Sequence, residues 1–416
     1  MIVALGEDDG DGVTMELDAV RAAALETSRL VQVLPVEPGR WRLLPRGRVG
    51  AVNLDGVDVV VTPKVGIARL LFLLGYAADP GFRPDDVEGV PDDDLWPAIA
   101  ETLCRHAERA LGRGVLQGYV TEEDALPLVR GRIRVADQIA LRPGTLLPLE
   151  VRYDEYSVDV AENRIARTAL RRMLTVPRVR AALRSRLGHL DGRLDGVTPL
   201  VAGAPVPQWR RTRINGRYHA VLRLAELVLR HQSFEIGPQG LRVASFVVDM
   251  AKVFEDFVAT ALAEAWSACP GATRPQYPAT LDVEGDISMK VDVVHTVDGR
   301  ARIVADAKYK LESASGRYPN ADHYQMLAYC TALQVPVGWL VYASGSGGPV
   351  TRRVRDAEVQ IVEYPLKLDV RPAVLLQQVD DLATAARERA FWATAARIDA
   401  PTGSQAMVLD LSEPTD

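Results

Sequence analysis

The sequence predicts an α+β protein of several domains, with a β-rich N-terminal domain, a helical connector, and a C-terminal α/β domain whose mixed central sheet is flanked by helices. The chain has 416 residues, which exceeds one ordinary domain and suits two or three. Short apolar runs between turn residues come first, helical periodicity follows, and the last third alternates between the two. These changes predict domains at 1–155, 156–235 and 236–400, and a flexible tail at 401–416.

The N-terminal domain begins with short strands. Two apolar runs, at 49–54 and 57–62, flank Asp55-Gly56, a pair of residues that favours a tight hairpin turn. The remainder is predicted as alternating segments, namely a helix at 67–76, an exposed Pro/Gly/Asp-rich loop at 79–94, a helix at 95–113, and extended chain over 115–160 with a strand at 130–135.

The connector is helical and rich in arginine. Ile165, Ala169 and Met173 fall on one face of a helix predicted over 160–187, with arginines on the other face. The later elements are predicted in the order helix, strand, strand, helix, strand, helix, and their positions are 214–231 for the second connector helix, then 246–266, 287–296, 301–307, 320–333, 337–342 and 372–392.

The net charge of −6 is unevenly distributed. Residues 161–217 carry 13 arginines and three acidic side chains, whereas residues 1–160 have a balance of −10. A basic segment in an acidic chain is a candidate surface for binding phosphate, although a solvated helical face explains it equally well. The arginines that we single out are Arg164, Arg167, Arg171, Arg210, Arg211 and Arg213.

Several functional classes find no support in the sequence. No apolar run approaches the roughly 18–20 residues that cross a bilayer, and we see no signal peptide, so we expect a cytoplasmic protein without a membrane partner. The three cysteines and six histidines have no metal-ligand spacing. The chain has no G-x-x-x-x-G-K-[ST] motif, so we expect it to bind no nucleotide itself. A serine-hydrolase elbow and a dinucleotide fingerprint are absent too.

Candidate catalytic residues meet in the stretch KVDVVHTVDGRARIVADAKYK, which begins at Lys290. Asp306 and Lys308 are two residues apart, so on a strand both point to the same face, and Asp292 lies in the preceding strand. Two carboxylates can hold Mg²⁺, which prefers oxygen ligands, and a lysine can stabilise developing negative charge. Phosphodiester hydrolysis needs this set, whereas a solvated strand end is the alternative for Asp-x-Lys alone.

The hairpin geometry adds a condition. A strict two-residue turn at Asp298-Gly299 places position 292 opposite position 305, which would turn Asp292 and Asp306 to opposite faces of the sheet. A one-residue bulge or a three-residue turn brings them to one face. We therefore predict such an irregularity, and a regular hairpin would contradict the site.

Six stretches of the sequence carry a family resemblance, and they are VTPKVGIARLLFLLGYA at 61–77, LVRGRIRV at 128–135, YDEYSVDVAENRIARTALRRML at 153–174, DMAKVFEDFV at 249–258, DAKYK at 306–310 and DHYQMLAYCTAL at 322–333. With these stretches, residues 249–342 resemble the PD-(D/E)xK nuclease superfamily. The whole chain resembles the McrC family, the nuclease subunits of McrBC-type modification-dependent restriction systems, and also LlaJI-type relatives.

The resemblance implies roles for individual residues. It implies metal binding by Asp292, Asp306, the Ala307 carbonyl and Glu255, catalysis by Lys308, and contact of Gln325 with metal-bound water or the DNA backbone. Many members have proline where Val291 stands, which leaves Asp286 as the alternative first aspartate. Tyr329 either packs in the core or contacts phosphate. His295 and His323 flank the site, and for them we favour a structural role. The arginines named above become possible DNA contacts.

The resemblance also implies partners. It suggests cleavage of double-stranded DNA with Mg²⁺, for which Mn²⁺ can substitute, within a complex with an McrB-like AAA+ GTPase. The N-terminal residues 1–155 would engage this partner and stimulate its GTPase, and the partner would read the modified DNA. The alternative is an assembly and GTPase-activating subunit whose nuclease centre is weak or idle.

Overall fold

The structure is a computed structural model that describes residues 1–80, 82, 95–176, 179–201, 203–236, 242–310, 320–343 and 347–398. The chain divides into two compact units, Met1–Thr260 with Leu368–Ala373, and Ala261–Lys367 with Val374–Asp416. The predicted connector falls within the first unit, and the division into three domains stays a prediction. The predicted tail and most of the predicted loop at 79–94 lie outside the described residues.

The first unit combines sheets and helices. Its strands are β1 (Ile2–Gly6), β2 (Val13–Glu16), β3 (Val31–Glu37), β4 (Arg40–Pro45), β5 (Arg48–Leu54), β6 (Val57–Thr62), β7 (Gly118–Leu126), β8 (Arg132–Ile133), β9 (Leu149–Ser157), β10 (Gln232–Ile236) and β11 (Arg242–Asp249). Its helices are α1 (Ala19–Ser28), α2 (Ile67–Ala78), α3 (Leu95–Leu111), α4 (Val135–Leu141), α5 (Ala161–Thr175), α6 (Ala181–Arg193), α7 (His219–His231) and α8 (Met250–Ala265), which crosses the boundary between the units.

Three sheets form in the described part of this unit, in the orders β1-β6-β5-β11-β10, β2-β4-β3 and β7-β9-β8. The predicted hairpin between β5 and β6 is confirmed, because the strands pair antiparallel and both Asp55 and Gly56 have positive φ. The predicted helical face is confirmed as well, because Ile165, Ala169 and Met173 are buried on α5.

Several predicted elements of this unit differ from the structure. The strand predicted at 130–135 is reduced to β8, because α4 begins at Val135, and the helix predicted at 214–231 begins only at His219. The helix predicted from residue 246 begins at Met250, because the β-branched run before it pairs as β11 with β5. The helix predicted over 160–187 is two helices, α5 and α6, and Pro177 lies in the interval between them, where proline disfavours a continuous helix. Within the stretch predicted as extended, α4 is helical. This helix has only two turns and buries no residue, so the sequence shows no apolar face from which a helix could be predicted.

The second unit is built on one sheet. Its elements are β12 (Ala272–Thr280), β13 (Ser288–Val297), β14 (Arg300–Lys308), α9 (Asn320–Leu333), β15 (Val337–Tyr342), β16 (Val350–Arg353), β17 (Gln360–Pro365) and α10 (Pro372–Ile398). The strand order is β12-β13-β14-β15-β17-β16. Strands β14, β15 and β17 are parallel and the other pairs are antiparallel, so the sheet is mixed, as predicted.

Helix α9 packs directly on the sheet. Met326, Tyr329 and Cys330 join the buried cluster formed by β13, β14 and β15. A Cβ atom on Gly338 of β15 would collide with the Met326 side chain, so glycine at this position lets α9 lie close to the sheet. Because α9 connects two parallel neighbours, it runs back along the sheet, and its first turn lies near the carboxyl end of β14.

The described residues contain no helix that combines the length and the apolar character needed to cross a membrane.

Candidate active site

The hairpin of β13 and β14 carries the two predicted aspartates. Its turn contains two residues, Asp298 and Gly299, whose φ values of 50° and 74° are typical of tight hairpins. A regular continuation from this turn would place Asp292 opposite Ala305 and turn its carboxylate away from that of Asp306.

A bulge corrects this register. The pairing shifts between His295 and Thr296, and Val293 consequently pairs with Ala305. The extra residue on β14 is Arg302. The position opposite Asp292 is therefore that of Asp306, and both side chains lie on one face of the sheet. The predicted irregularity of this hairpin is confirmed, and it is a one-residue bulge.

The Asp292 carboxylate is held by both neighbouring strands. The backbone N–H of Ala307 donates to its Oδ2 at 2.9 Å, just past the last paired residues of β13 and β14. On the other side, Gln276 Nε2 of β12 donates to its Oδ1 at 3.3 Å. Each Asp292 oxygen thus has a donor, which fixes the orientation of the carboxylate.

The Asp306 carboxylate is in a different situation. The residue is 1% exposed, and Lys308 Nζ lies 2.5 Å from Oδ2. This contact is a close ion pair, and within the described part of the chain neither Asp306 oxygen has a hydrogen-bond partner of normal geometry. Buried polar atoms of this kind are rare because they cost free energy, and unmet hydrogen-bonding capacity often marks an ion site.

The three side chains influence one another's protonation. Burial raises the pKa of Asp292 to about 6, and the negative charge of Asp306 adds to this effect. Burial also raises the pKa of Asp306, against the opposing charge of Lys308. Burial alone would lower the pKa of Lys308, but the aspartates outweigh it and raise that pKa. The lysine therefore stays charged. The two aspartates face each other in surroundings where burial disfavours their negative charge.

These donors fit a hard divalent cation. Asp306 offers two buried oxygens, Asp292 offers a second carboxylate, and Ala307 adds a carbonyl, because the N–H and C=O of one strand residue point to the same side. No group of three or more His, Cys, Asp or Glu side chains with metal-ligand geometry occurs in the described ranges. Water and substrate oxygens would have to complete the coordination, which is usual for Mg²⁺.

Helix α9 supports this site through Tyr329. The Tyr329 hydroxyl donates to the backbone carbonyl of Lys290 at 3.0 Å, two residues before Asp292. Gln325 Nε2 donates to the same hydroxyl at 2.6 Å. Tyr329 is buried in the core cluster, which favours the packing role over contact with phosphate. Gln325 is exposed, and among the described residues it is linked to the site through Tyr329.

Asp322, in the first turn of α9, is a residue that the sequence analysis missed. It is 3% exposed, accepts a hydrogen bond from Lys310 Nζ at 2.7 Å, and receives the Tyr342 hydroxyl at 3.4 Å. Its charge acts on both Asp306 and Lys308. Both Lys310 and Asp322 lie in stretches that carry the family resemblance. An acidic residue at the start of an apolar helix was the sequence feature that could have drawn attention to Asp322.

The other predicted residues have partners or positions of their own. Glu255 lies on α8 in the first unit, with Lys252 Nζ at 3.4 Å, and its place at a metal stays a prediction. Asp286 precedes β13, so Asp292 and not Asp286 faces Asp306. His295 is buried and bonds to Thr273, which fits a structural role.

His323 has a partner on β17. Its Nε2 lies 2.7 Å from Glu363 Oε1, and Arg352 donates to the same carboxylate. The half-buried histidine thus shares the buried Glu363 carboxylate with the exposed Arg352, which fits the structural role that we favour for it.

The six predicted arginines divide into two groups. Arg167 and Arg171 both donate to Asp191, at 3.0 and 2.8 Å, and Arg167 is buried, so both hold α5 to α6. Those with exposed or half-exposed positions are Arg164, which donates to the Thr198 carbonyl, Arg211, which pairs with Asp79, and Arg210 and Arg213. Contact with DNA remains a prediction for all six.

Comparison with known proteins identifies a family that the chain matches. Residues 44–343 match the family described as McrBC 5-methylcytosine restriction system component. No curated protein matches the chain significantly.

Two solved structures from Thermococcus gammatolerans contain a similar chain. The first is a refined half-complex from a tetradecameric assembly of McrB AAA+ hexamers with bound McrC, with a TM-score of 0.59, 19% identity, and coverage of 92% of this chain and 99% of that chain. The second is a cryo-EM structure of the McrBC complex, with a TM-score of 0.40, 19% identity, and coverage of 64% of this chain and 88% of that chain. The first likeness shows a shared fold over nearly the whole of both chains.

Proposed function

The chain belongs to the family of McrBC 5-methylcytosine restriction system components, and on that basis we propose that it is a Mg²⁺-dependent endonuclease subunit that cleaves double-stranded DNA within a GTP-driven restriction complex. One observation carries the nuclease assignment. The buried Asp306 carboxylate has no hydrogen-bond partner of normal geometry among the described residues, and it faces Asp292 and forms an ion pair with Lys308. A divalent cation, Mg²⁺ or its substitute Mn²⁺, would satisfy this arrangement.

Each residue of the centre has a proposed task. Asp292, Asp306 and the Ala307 carbonyl would hold the metal, and a bound metal supplies a water of lowered pKa and neutralises phosphate charge. Lys308, which stays charged beside Asp306, would hydrogen-bond to a phosphate oxygen and stabilise the negative charge that develops there. Tyr329 would keep β13 in place through the Lys290 carbonyl.

Four further side chains or groups have proposed supporting roles. Gln325 would reach a metal-bound water or the DNA backbone from its exposed position on α9. Glu255 would act on the metal through water. The exposed arginines Arg210 and Arg213 would contact DNA phosphates, which every sequence presents alike.

Isosteric substitutions test the nuclease assignment. Asp306→Asn and Lys308→Met keep the shape of the site and remove its charges, so we expect each to reduce DNA cleavage by about 100-fold or more. Cleavage is measured on modified duplex DNA with Mg²⁺, GTP and an McrB-like partner. Asp298→Asn in the turn of the same hairpin is the matched control and should cleave normally. Unreduced cleavage by both site variants would refute the assignment.

The first unit offers a proposed surface for the partner. Nine large apolar side chains between residues 119 and 156, a stretch that is described throughout, are exposed, and they are Tyr119, Leu128, Val129, Val135, Ile139, Leu141, Leu146, Leu147 and Tyr156. We call these nine side chains the apolar surface of the first unit. Exposed apolar residues in such density are typical of interaction sites, and they lie within the predicted partner-binding region 1–155.

An McrB-like AAA+ GTPase is the proposed occupant. The similar chain from Thermococcus gammatolerans comes from an assembly of McrB hexamers with bound McrC, and its likeness in fold covers this region. The absence of a nucleotide-binding motif here is consistent with a subunit that depends on a partner for GTP hydrolysis.

The apolar surface also favours the second candidate function. A chain that acts mainly by assembling and activating the GTPase would need this surface and not the carboxylates. The Asp306→Asn variant distinguishes the two candidate functions. The nuclease function requires this variant to lose DNA cleavage while it still stimulates the partner GTPase, whereas the assembly function does not require any loss of cleavage.

A further inference from the structure

We propose that Gln276, on the edge strand β12, is a positioning residue that holds the Asp292 carboxylate in the orientation required to bind metal. The inference rests on the proposed function, because it is the proposed nuclease mechanism that makes Asp292 a metal ligand. It assigns a role to a strand that the sequence does not predict.

The register of the sheet places Gln276 beside Asp292. Strand β12 pairs with β13 through Pro275 with Val293 and through Tyr277 with Val291, and the pairing omits the position between them. That omitted position is Gln276, directly opposite Asp292. The side chain therefore starts from the backbone nearest to Asp292 on this side of β13.

The backbone of Gln276 has an unusual conformation. Its φ is 50°, in the left-handed region, which side chains other than Gly, Asn and Asp rarely adopt. The five other described residues of this kind lie in turns or at helix ends, and they are Arg29, Asp55, Asp298, Gln334 and Asp356. Gln276 alone among them lies inside a strand. Strain of this sort persists where the surroundings impose it, and it often accompanies function.

The amide of Gln276 complements the other donor to Asp292. Gln276 Nε2 donates to Oδ1 at 3.3 Å, and the Ala307 N–H donates to Oδ2 at 2.9 Å. Two donors from opposite sides fix the plane of the carboxylate. A neutral amide does so without competing with a cation for charge, in contrast to Lys308 beside Asp306. Such supporting hydrogen bonds orient metal ligands and tune affinity.

Two substitutions separate the amide from the backbone conformation. Gln276→Met removes the donor and keeps the size of the side chain, whereas Gln276→Gly removes the donor and also relieves the left-handed strain. Metal binding is measured by calorimetry with Mn²⁺ on the full chain. We expect both variants to bind Mn²⁺ about 10-fold more weakly than the wild type. Gln334→Met and Gln334→Gly are matched controls, because Gln334 is also left-handed but lies beyond the far end of α9.

A second measurement does not depend on metal or cleavage. If Gln276 orients Asp292, its loss should loosen the acceptor of the Ala307 N–H, so that amide should exchange its hydrogen faster in the metal-free Gln276 variants than in the Gln334 controls. Faster exchange with weaker Mn²⁺ binding supports the positioning role. An unchanged exchange rate together with an unchanged Mn²⁺ affinity would overturn the positioning role. If the variants also lost DNA cleavage while these two quantities stayed unchanged, Gln276 would be a direct DNA contact instead.

The outcome is separable from that of the proposed function. A wild-type chain that binds Mn²⁺ but never cleaves DNA would refute the nuclease and leave both measurements on Gln276 decisive. A wild-type chain that binds no Mn²⁺ would overturn the nuclease and the positioning role together. Because Gln276→Gly relieves strain, this variant is expected to fold even if Gln276→Met does not.

Discussion

At the scale of single residues, Asp292 shows how a proposed metal ligand can lower the stability of the fold. Its pKa rises from 3.8 to about 6 through burial and through the charge of Asp306. Between these pH values the folded chain retains a proton that the unfolded chain releases. The stability of the metal-free protein therefore falls as the pH rises from about 4 to about 6, and it stays reduced above that range.

Asp292→Asn should remove this effect. The asparagine carries no charge and can still accept the Ala307 hydrogen bond. We expect it to raise the free energy of unfolding by on the order of 2 kcal/mol at pH 7.5 in the presence of a chelator, and by little at pH 4. Denaturant unfolding at both pH values measures this. Equal effects at the two pH values would contradict the raised pKa, and Asp298→Asn serves as the exposed control.

At the scale of elements, the bulge at Arg302 decides whether the site exists. Deletion of Arg302 would restore a regular hairpin, turn Asp292 and Asp306 to opposite faces, and abolish Mn²⁺ binding and cleavage. Arg302→Ala keeps the extra residue, and we expect it to retain both. Calorimetry and a cleavage assay distinguish the two variants.

A compensating insertion sharpens this test. One alanine inserted between Asp298 and Gly299 in the deletion variant makes a three-residue turn, which again places Asp292 opposite Asp306. Restored Mn²⁺ binding is the expected result. Failure of the insertion to restore binding, in a chain that unfolds as cooperatively as the wild type, would count against the register argument.

Sequence patterns predict elements well where apolar runs have clear ends. The predicted bounds of α9 and β15 agree with the structure, and β13 and β14 agree to within one residue. Strand β12 escaped prediction because Pro275 and Pro278 interrupt it, and proline is tolerated there because β12 is an edge strand. Strand β16 escaped because its four residues are exposed and show no alternation.

The site was predictable to the same extent as its strands. Asp292, Asp306 and Lys308 lie on predicted strands, and counting along the hairpin exposed the need for a bulge. Gln276 lies on the unpredicted strand β12, so no spacing could bring it to Asp292. Asp322 reaches the centre through the packing of α9, which sequence spacing does not encode.

At the scale of the whole molecule, the proposed activities fall on different units. The carboxylates belong to the second unit and the apolar surface to the first, so substitutions should separate them. We expect Ile139→Lys combined with Leu146→Glu, at positions 67% and 85% exposed, to reduce stimulation of the partner GTPase by about 10-fold or more, as loss of central apolar contacts does.

A matched control keeps this prediction specific. Ile2→Lys introduces a charge at another exposed apolar position of the first unit and should leave GTPase stimulation unchanged. Mn²⁺ binding should be unchanged in both variants. Full stimulation by the Ile139/Leu146 variant would show that the partner docks elsewhere.

The bulge at Arg302 finally makes the site a matter of parity. Thirteen residues separate Asp292 from Asp306, an odd number, whereas a regular two-residue hairpin requires an even one. Insertion or loss of residues in pairs at the hairpin tip leaves the two aspartates facing each other, and a single change separates them. The length of this hairpin can thus change by two residues without separating the aspartates, but not by one. The number of residues in the hairpin therefore constrains the candidate site independently of which residues they are.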